Sequence, residues 1–338
     1  MLWKIIALAV AGLMSGAAFA QSNVTVYGVM DISYQNSKTN GASSKTAIGS
    51  GFMSGSRLGF RGTEDLGGGL KAIFVLEYGL AIDTNAGIGA PEVTAANAVA
   101  TGTQARQQLL GLTGNWGTFV AGRAQTTAFD FAGKTMPGVA GGGLDSFQSA
   151  GASTLVNAAS RANNAVAYIS PSFSGLTVAY NHARLTENAG SDDTANMLSA
   201  DYANGPITAG LVWSKKSNGV SAASDDVNEI GLRGAYNFGA ATVGLAYLRN
   251  DDDAAATGKN DKKWGLGVSV PVGAGVIAAN YAKASVDSTA LADDKKVWSV
   301  GYIRNLSKRT NTYAGYTKTN NETAADSRAF AVGLRHSF

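Results

Sequence analysis

The chain contains no cysteine and only five prolines among its 338 residues. Without a thiol it can form neither a disulfide framework nor a thiolate metal site, and it has no cysteine nucleophile. Charged residues are also scarce, at 15% of the total, and the formal net charge of +3 includes no Lys/Arg-rich run. We therefore expect no nucleic-acid partner, because such binding depends on clustered basic residues.

Long apolar runs are missing after the N-terminus. Residues 1–20 combine a basic start at Lys4, an apolar core over Ile5–Met14 and a small-x-small site at Ala18–Ala20. This is the pattern of a secretory signal peptide, so the mature chain is expected to be 21–338. The apolar core is shorter than the ~20 residues of a spanning helix. No later stretch is apolar enough for one, so any membrane role must belong to strands.

What the chain does contain is repeated alternation with a period of two residues. It is clearest in Val24–Gln35, Leu70–Leu80, Lys263–Val270 and Arg328–Phe338, where large apolar residues occupy every second position. Most of the positions between them carry small or polar residues, with Val29, Ile73 and Val75 as exceptions. This pattern predicts β-strands with one apolar face and one mixed polar face.

The connections between these segments alternate in length. Seven short turn-like segments rich in glycine, proline and asparagine separate eight longer polar stretches, which makes fifteen connections and sixteen strands. Short turns at one end and long loops at the other are typical of outer-membrane barrels, with both termini at the short-turn, periplasmic end. The longer stretches are residues 36–53, 81–102, 126–160, 187–193, 216–225, 250–262, 287–295 and 318–327.

The polar face of each predicted strand decides which way the sheet is turned. It carries arginine, lysine, glutamate, aspartate and asparagine, which cannot pack a dry core without partners. We therefore expect the apolar face to meet outer-membrane lipid and the polar face, including Asp31, Lys71 and Glu77, to line water. Because an open sheet edge cannot be satisfied in hydrocarbon, the sequence predicts an all-β, sixteen-stranded antiparallel transmembrane β-barrel.

The third long stretch, residues 126–160, differs from the others. It has no sustained alternation, six glycines and three charged residues, Asp130, Lys134 and Asp145. A connection this long without regular structure is uncommon in a compact domain unless it is functional. We therefore predict a constriction loop that folds into the lumen of the barrel and narrows an aqueous channel.

Several segments carry a family resemblance that extends over the mature chain. They are Val24–Gly28, Ser56–Gly62, Glu64–Ala72, the pair Gly122-Arg123 and the terminal Phe338. With these the chain resembles the general-diffusion porins of Gram-negative outer membranes, and is most similar to the β-proteobacterial branch. The resemblance implies a homotrimer with an inward third loop, and a C-terminal Phe338 that the barrel-assembly machinery reads as a signal.

Arginines are the candidate residues of the channel wall. Parity places Arg57, Arg61 and Arg161 on the polar face, whereas the orientation of Arg106 and Arg123 is left open by parity and is carried by the resemblance. Guanidinium groups stay protonated at any working pH, and in a narrow channel with low-dielectric walls they act strongly on passing ions. Each arginine could instead pair with a lumen acid such as Glu77.

The expected function is passive diffusion of small hydrophilic solutes and ions. Where enteric porins have Pro-Glu-Phe-Gly-Gly in the third loop, this chain has Pro137–Gly143 without a carboxylate. We therefore expect anions to be preferred over cations, with weak selectivity after screening over ~8 Å as the alternative. The alternative to a general diffusion channel is a channel specific for phosphate or an organic anion. No cofactor, metal site or catalytic Ser/His/Asp arrangement is expected, and His182 and His336 lie in different strands.

Overall fold

A computed structural model describes residues 23–84, 87–89, 105–139, 142–150, 160–185, 193–217, 226–252, 259–285 and 294–338. The expected signal peptide lies outside these residues. Among the described helices, none is long and apolar enough to cross a membrane.

The described residues form seventeen strand segments in one antiparallel sheet. Their alternating sequences favour the extended backbone, because successive side chains point to opposite faces. The first nine segments are β1 (Asn23–Thr39), β2 (Lys45–Ser50), β3 (Arg57–Gly67), β4 (Leu70–Gly79), β5 (Ala105–Gly114), β6 (Gly117–Gln125), β7 (Arg161–Ile169), β8 (Leu176–Arg184) and β9 (Thr194–Asn204). The other eight are β10 (Ile207–Ser217), β11 (Val227–Asn237), β12 (Thr242–Asp252), β13 (Lys259–Val272), β14 (Gly275–Ser285), β15 (Lys295–Asn305), β16 (Thr310–Asn321) and β17 (Ser327–Ser337).

The sheet closes on itself. β1 pairs with β17 over Val29–Thr39, and on its other edge with β2 and β3. Because β2 and β3 share one edge of β1, they occupy a single strand position that is interrupted at residues 51–56. The result is a closed barrel of sixteen strand positions, which confirms the predicted fold class.

The predicted first long loop, residues 36–53, is wrong. β1 continues to Thr39 and β2 begins at Lys45, so only a short turn separates them. The side-chain amide of Asn36 donates to the hydroxyl of Thr46 across this pair at 2.9 Å. The end of β1 and all of β2 are polar and lack the apolar alternation, so the sequence pattern there resembles that of a loop although the chain is paired.

The two faces of the sheet differ in composition. Val26, Phe60 and Leu76 are exposed and adjacent in register on β1, β3 and β4, and similar large hydrophobic residues continue around the barrel. We call this side the apolar face. The alternate positions form the polar face, where Tyr27 and Glu77 lie.

The segment 126–160 contains short helices rather than only irregular chain. They are α1 (Thr127–Ala132) and α2 (Ser146–Ser149), while residues 140, 141 and 151–159 lie outside the described part. The hydroxyl of Thr126 accepts a bond from the Phe129 amide, and the carboxylate of Asp145 accepts one from the Gln148 amide. These capping residues satisfy amides at the start of each helix.

Apolar side chains of this segment pack on the polar face of the sheet. Phe131, Met136, Leu144 and Phe147 are buried there in the main hydrophobic cluster. Glycines in the strands make room for them: a Cβ at Gly267 would lie 2.8 Å from Pro137 Cδ, and Cβ atoms at Gly301 and Gly315 would collide with Leu144. α1 contacts β8, β9 and β10, and α2 contacts β13, β14 and β15. The segment therefore covers a continuous part of the polar face.

Candidate functional site

A buried carboxylate organises the arginines of β3 and β5. Nε of Arg106 donates to Oε1 of Glu77 at 2.7 Å, and Nε of Arg57 lies 3.7 Å from Oε2. The Tyr27 hydroxyl also donates to Oε2, at 3.0 Å. Two permanent positive charges and one negative charge thus meet in this group of described residues.

A β-bulge brings Arg106 to this group. Glu77 pairs with Gln107 and Tyr78 pairs with Ala105, so Arg106 is the extra residue in β5. An extra residue of this kind redirects a side chain relative to strict alternation. Arg106 therefore reaches the polar face although Leu110, which has the same parity, lies exposed on the apolar face. Parity could not have settled this orientation.

Arg61 and Lys71 lie nearer the short-turn end. The guanidinium carbon of Arg61 is 5.2 Å from the centre of the Tyr27 ring, within the range of a cation–π interaction. Lys71 is exposed and pairs in register with Asp65 and Thr113. Tyr27 therefore links Arg61 to the arginines around Glu77.

Arg123 is not brought together with these residues. Its register partner is Gln108, which pairs in turn with Leu76 of the apolar face. Nε of Arg123 donates to the Ala105 carbonyl at 2.6 Å. Arg123 itself lies in a β-bulge, because the register with β7 shifts between Gly122 and Ala124, so the strand pairing does not decide whether its side chain lines the wall as expected.

Arg161 lies at the base of the 126–160 segment. It donates to Oε1 of Gln125 at 3.3 Å and lies 5.0 Å from the Phe129 ring centre, while the Gln125 amide donates to Asp130. Desolvation raises the pKa of the Asp130 carboxyl above its ordinary value, although the Gln125 bond and the charges of Lys134 and Arg161 oppose the shift. Asp130 keeps exposed surface and is the loop carboxylate that water reaches.

Lys134 pairs with a residue that the sequence analysis did not identify. Its Nζ lies 2.9 Å from Oδ2 of Asp201 on β9, and Oδ1 of the same carboxylate accepts from Arg233 on β11. The Arg233 side chain crosses Gly210, which has no Cβ to obstruct it. Parity would have placed Arg233 on the polar face, but the pairing depends on a register that composition does not reveal.

Two predicted acids are withdrawn from solvent. Asp31 lies on the polar face but is fully buried, and it accepts bonds from the Met53 and Ser54 amides and the Tyr313 hydroxyl. Asp145 is also fully buried, as the cap of α2, and does not face open water as expected. Both carboxylates are used to hold backbone in place.

Polar groups of β13 and β14 fix α2 against the barrel. The side-chain amide of Asn280 accepts from the Ser146 amide at 2.7 Å and donates to the Leu144 carbonyl at 3.0 Å. Nζ of the buried Lys263 lies 4.3 Å from the Phe147 ring centre. The sequence analysis missed both roles, since each depends on where the segment packs.

The chain terminus joins the first strand. The backbone groups of Phe338 and Gly28 exchange two hydrogen bonds at 3.1 Å, and the Phe338 ring occupies the space where a Gly28 Cβ would lie.

In the part of the chain that the structure describes, no three His, Cys, Asp or Glu residues are grouped to hold a metal. The arginines and carboxylates described above can act on ions through their charge.

Comparisons with known proteins identify the family. A family model described as Gram-negative porin matches residues 7–324. Outer membrane porin protein 32 of Delftia acidovorans is 34% identical over 248 residues, which cover 70% of this chain and 66% of that protein. An outer membrane porin protein of Bordetella pertussis is 30% identical over 266 residues, covering 69% of this chain and 66% of that protein. The chain thus spans about two thirds of the length of each relative.

Solved structures give the same result. An anion-selective porin from Comamonas acidovorans superposes with a TM-score of 0.76 at 28% identity, covering 94% of this chain and 100% of that chain. The trimer form of OmpT from Vibrio cholerae has a TM-score of 0.68 at 16% identity over 94% and 99%, which shows the fold alone. These findings confirm the resemblance to β-proteobacterial porins. The chain belongs to the Gram-negative porin family, a family of outer-membrane channel barrels rather than enzymes.

Proposed function

We propose that this porin is a passive diffusion channel for small hydrophilic solutes and ions that prefers anions. The apolar face contacts outer-membrane lipid and the polar face lines water. The observation that carries the proposal is the group in which Arg57 and Arg106 both contact the carboxylate of Glu77. An excess of fixed positive charge on the wall of a narrow channel raises the local concentration of anions.

The proposal places the 126–160 loop inside the barrel as the constriction. Its described residues pack on the polar face from β8 to β16, and the amide of Gly143 donates to the Phe52 carbonyl at 2.7 Å. The polar face of β3, β4 and the start of β5 carries the arginine group instead. Solutes therefore pass between the loop and the wall that carries Arg57, Arg61 and Arg106.

The charge balance at this constriction favours anions. Among the described residues of this wall, Arg57, Arg61 and Arg106 supply three positive charges and Glu77 supplies one negative charge, a net of +2. On the loop, Asp130 is exposed, Lys134 pairs with Asp201 of β9, and Asp145 is buried. The anion-selective porin from Comamonas acidovorans, with 28% identity over almost the whole chain, supports the same preference.

The proposal extends to the oligomeric state and to membrane insertion, for which membership of the porin family is the support. We propose a homotrimer, for which the trimer form of OmpT from Vibrio cholerae is a structural precedent. Residues 1–20 direct export, both termini are periplasmic, and the barrel-assembly machinery reads Phe338. The paired backbone of Phe338 and Gly28 supports this, because the proposed signal also closes the barrel.

Single-channel recording of the purified protein in planar bilayers tests the proposal. We expect open channels that close in three equal steps, a current linear in salt concentration, and a zero-current potential of the sign set by anions. Current that saturates with phosphate or an organic anion would favour the substrate-specific alternative. The absence of any conductance from correctly folded protein would contradict both.

A further inference from the structure

Arg335 is an arginine of the polar face that the sequence analysis did not identify. Its neighbour Leu334 is exposed on the apolar face, and successive side chains of a strand point to opposite faces. The register partners of Arg335 are Asp31 on β1 and Asn311 on β16. Part of the surface of Arg335 remains exposed. The barrel wall therefore carries a further permanent positive charge on β17.

Arg335 lies beside the passage proposed for solutes. The described residues of the proposed constriction loop pack on β8 to β16, where Leu144 lies against Gly315. β17 is the next strand of the barrel. A Cβ at Gly333 of β17 would collide with the ring of Tyr313, so this ring crosses β17 at the glycine. Arg335 is the next polar-face residue of β17 toward the short-turn end.

The guanidinium of Arg335 is unpaired within the described residues. In that part of the chain no carboxylate forms an ion pair with Arg335, and its buried Nε has no hydrogen-bond acceptor. The carboxylate of Asp31 is fully buried and accepts bonds from the Tyr313 hydroxyl and from two backbone amides. Because Asp31 is occupied in this way, the terminal nitrogens of Arg335 are available to solutes.

The two arginines near Glu77 differ from Arg335 in this respect. Nε of Arg106 donates to Glu77 at 2.7 Å, and Nη1 of Arg57 donates to the Gly55 carbonyl at 3.0 Å. Both guanidinium groups can act on ions through their charge. Part of their donor set is already used, however, whereas the donors of Arg335 are not used by described residues.

Asn311 adds a second polar group at the same place. Its side-chain oxygen is buried and has no hydrogen-bond partner among the described residues. A half-turn of the side-chain amide exchanges oxygen and nitrogen, which brings N–H donors to this point. Buried polar groups are almost always paired. Two unpaired groups directly opposite each other on β16 and β17 therefore call for a partner such as water or a solute.

We propose that Arg335 binds the carboxylate groups of small organic anions that pass through the channel. The inference rests on the proposed anion-preferring channel and adds the class of anion that this wall retains. The planar guanidinium fork matches the two oxygens of a carboxylate, whereas an ammonium group acts as a point charge. A halide offers no pair of oxygens. Arg335 therefore distinguishes carboxylates from halides, which a positive charge alone does not.

The test is the block of chloride current by acetate, recorded from single channels of the purified protein at constant ionic strength. Acetate should reduce the native current in a saturable way, and bromide at the same concentration should not. We expect Arg335→Gln to raise the half-blocking acetate concentration at least about tenfold, the factor for one lost hydrogen bond to a charged group. Arg335→Lys keeps the charge but loses the fork. It should weaken the block similarly, while the zero-current potential in a potassium chloride gradient stays as in the native channel.

Arg304→Lys is the matched control, because it makes the same substitution at an exposed position of the apolar face. It should leave both the block and the potential unchanged. Every variant is measured as an open channel, which only a folded barrel provides.

Three results would overturn the carboxylate site. They are equal effects of acetate and bromide on the native channel, native-like block in both Arg335 variants, and native-like block in Arg335→Lys alone, which would assign the effect to charge. Each of these results is compatible with the proposed function, since the native zero-current potential can still have the sign set by anions. A native channel that prefers cations would contradict the proposed function itself.

Discussion

The Tyr313 hydroxyl donates a 2.6 Å hydrogen bond to Oδ1 of Asp31, although 282 residues separate them in the chain. The other oxygen of Asp31 accepts the Met53 and Ser54 amides, and the Tyr313 ring stacks on Phe52. The Phe52 carbonyl in turn holds the loop through the Gly143 amide. This buried network connects the barrel wall to the proposed constriction loop.

Replacing Tyr313 with phenylalanine removes the donor and leaves one oxygen of a buried carboxylate unsatisfied. We expect a loss of about 1–3 kcal/mol of stability and larger fluctuations of open-channel current, because the loop loses part of its support. Thermal unfolding and single-channel noise measure these effects. The control is Tyr316→Phe on the same strand, whose ring packs against Trp298 on the apolar face. Equal noise in the two variants would argue against the network.

Gly315 tests the packing of the loop against the wall. A Cβ there would collide with the buried side chain of Leu144. We expect Gly315→Ala to cost about 1–3 kcal/mol through overpacking and to change the conductance, because the loop must move toward the channel. Gly234→Ala is the control, since its Cβ would meet nothing closer than the Thr208 carbonyl at 3.9 Å. An unaltered conductance in the Gly315 variant would contradict a loop inside the barrel.

Glu77 sets the charge of the wall. In Glu77→Gln, Arg57 and Arg106 no longer share a carboxylate, so we expect the anion-to-cation permeability ratio to rise. One unit charge about 4 Å from the ion path corresponds to about 1 kcal/mol in a water-like medium, or roughly fivefold in that ratio. Glu64→Gln, at an exposed position of the same barrel, should leave the ratio unchanged. An unchanged ratio would mean that Glu77 does not act on permeating ions, and a fall would contradict the sign assigned to its charge.

We expect the ion preference of the channel to depend on pH through the carboxyl group of Asp130. Its raised pKa means that the carboxyl takes up a proton at a higher pH than an ordinary aspartate does. The negative charge of the loop is therefore present above that pKa and is lost as the pH falls through it, so anion preference should increase on acidification. Reversal potentials measured from neutral to acidic pH would show this step. It should be absent in Asp130→Asn and retained in the control Asp65→Asn.

The sequence was sufficient for the architecture because the barrel follows from local patterns. Alternation around Trp264 and Phe330 reports which face of a strand is apolar, and the number of connections gives the number of strands. The interruption at residues 51–56 was not visible, because polar paired strands and polar loops have the same composition. It matters for function, since this interruption supplies the carbonyl that holds the loop.

The site was less predictable than the fold. Parity correctly placed the Arg57 side chain on the polar face. The orientation of Arg106 depends on a β-bulge, which no local sequence pattern predicts. From the sequence, the carboxylates of Asp31 and Asp145 were expected to face ions. In the structure both accept hydrogen bonds from backbone amides, Asp31 from the distant Ser54 and Asp145 from the nearby Gln148. Which charges remain exposed depends on long-range packing, and the sequence does not contain that information in a local form.

The zero-current potential across a bilayer in a salt gradient tests the central claim most directly. The native channel should give the sign expected for anion preference, because the wall carries the arginines that surround Glu77. Arg57→Gln combined with Arg106→Gln should shift the potential toward cation preference, while Arg304→Gln at the short-turn rim should not. A native channel that prefers cations, or a double variant with an unchanged potential, would contradict the account.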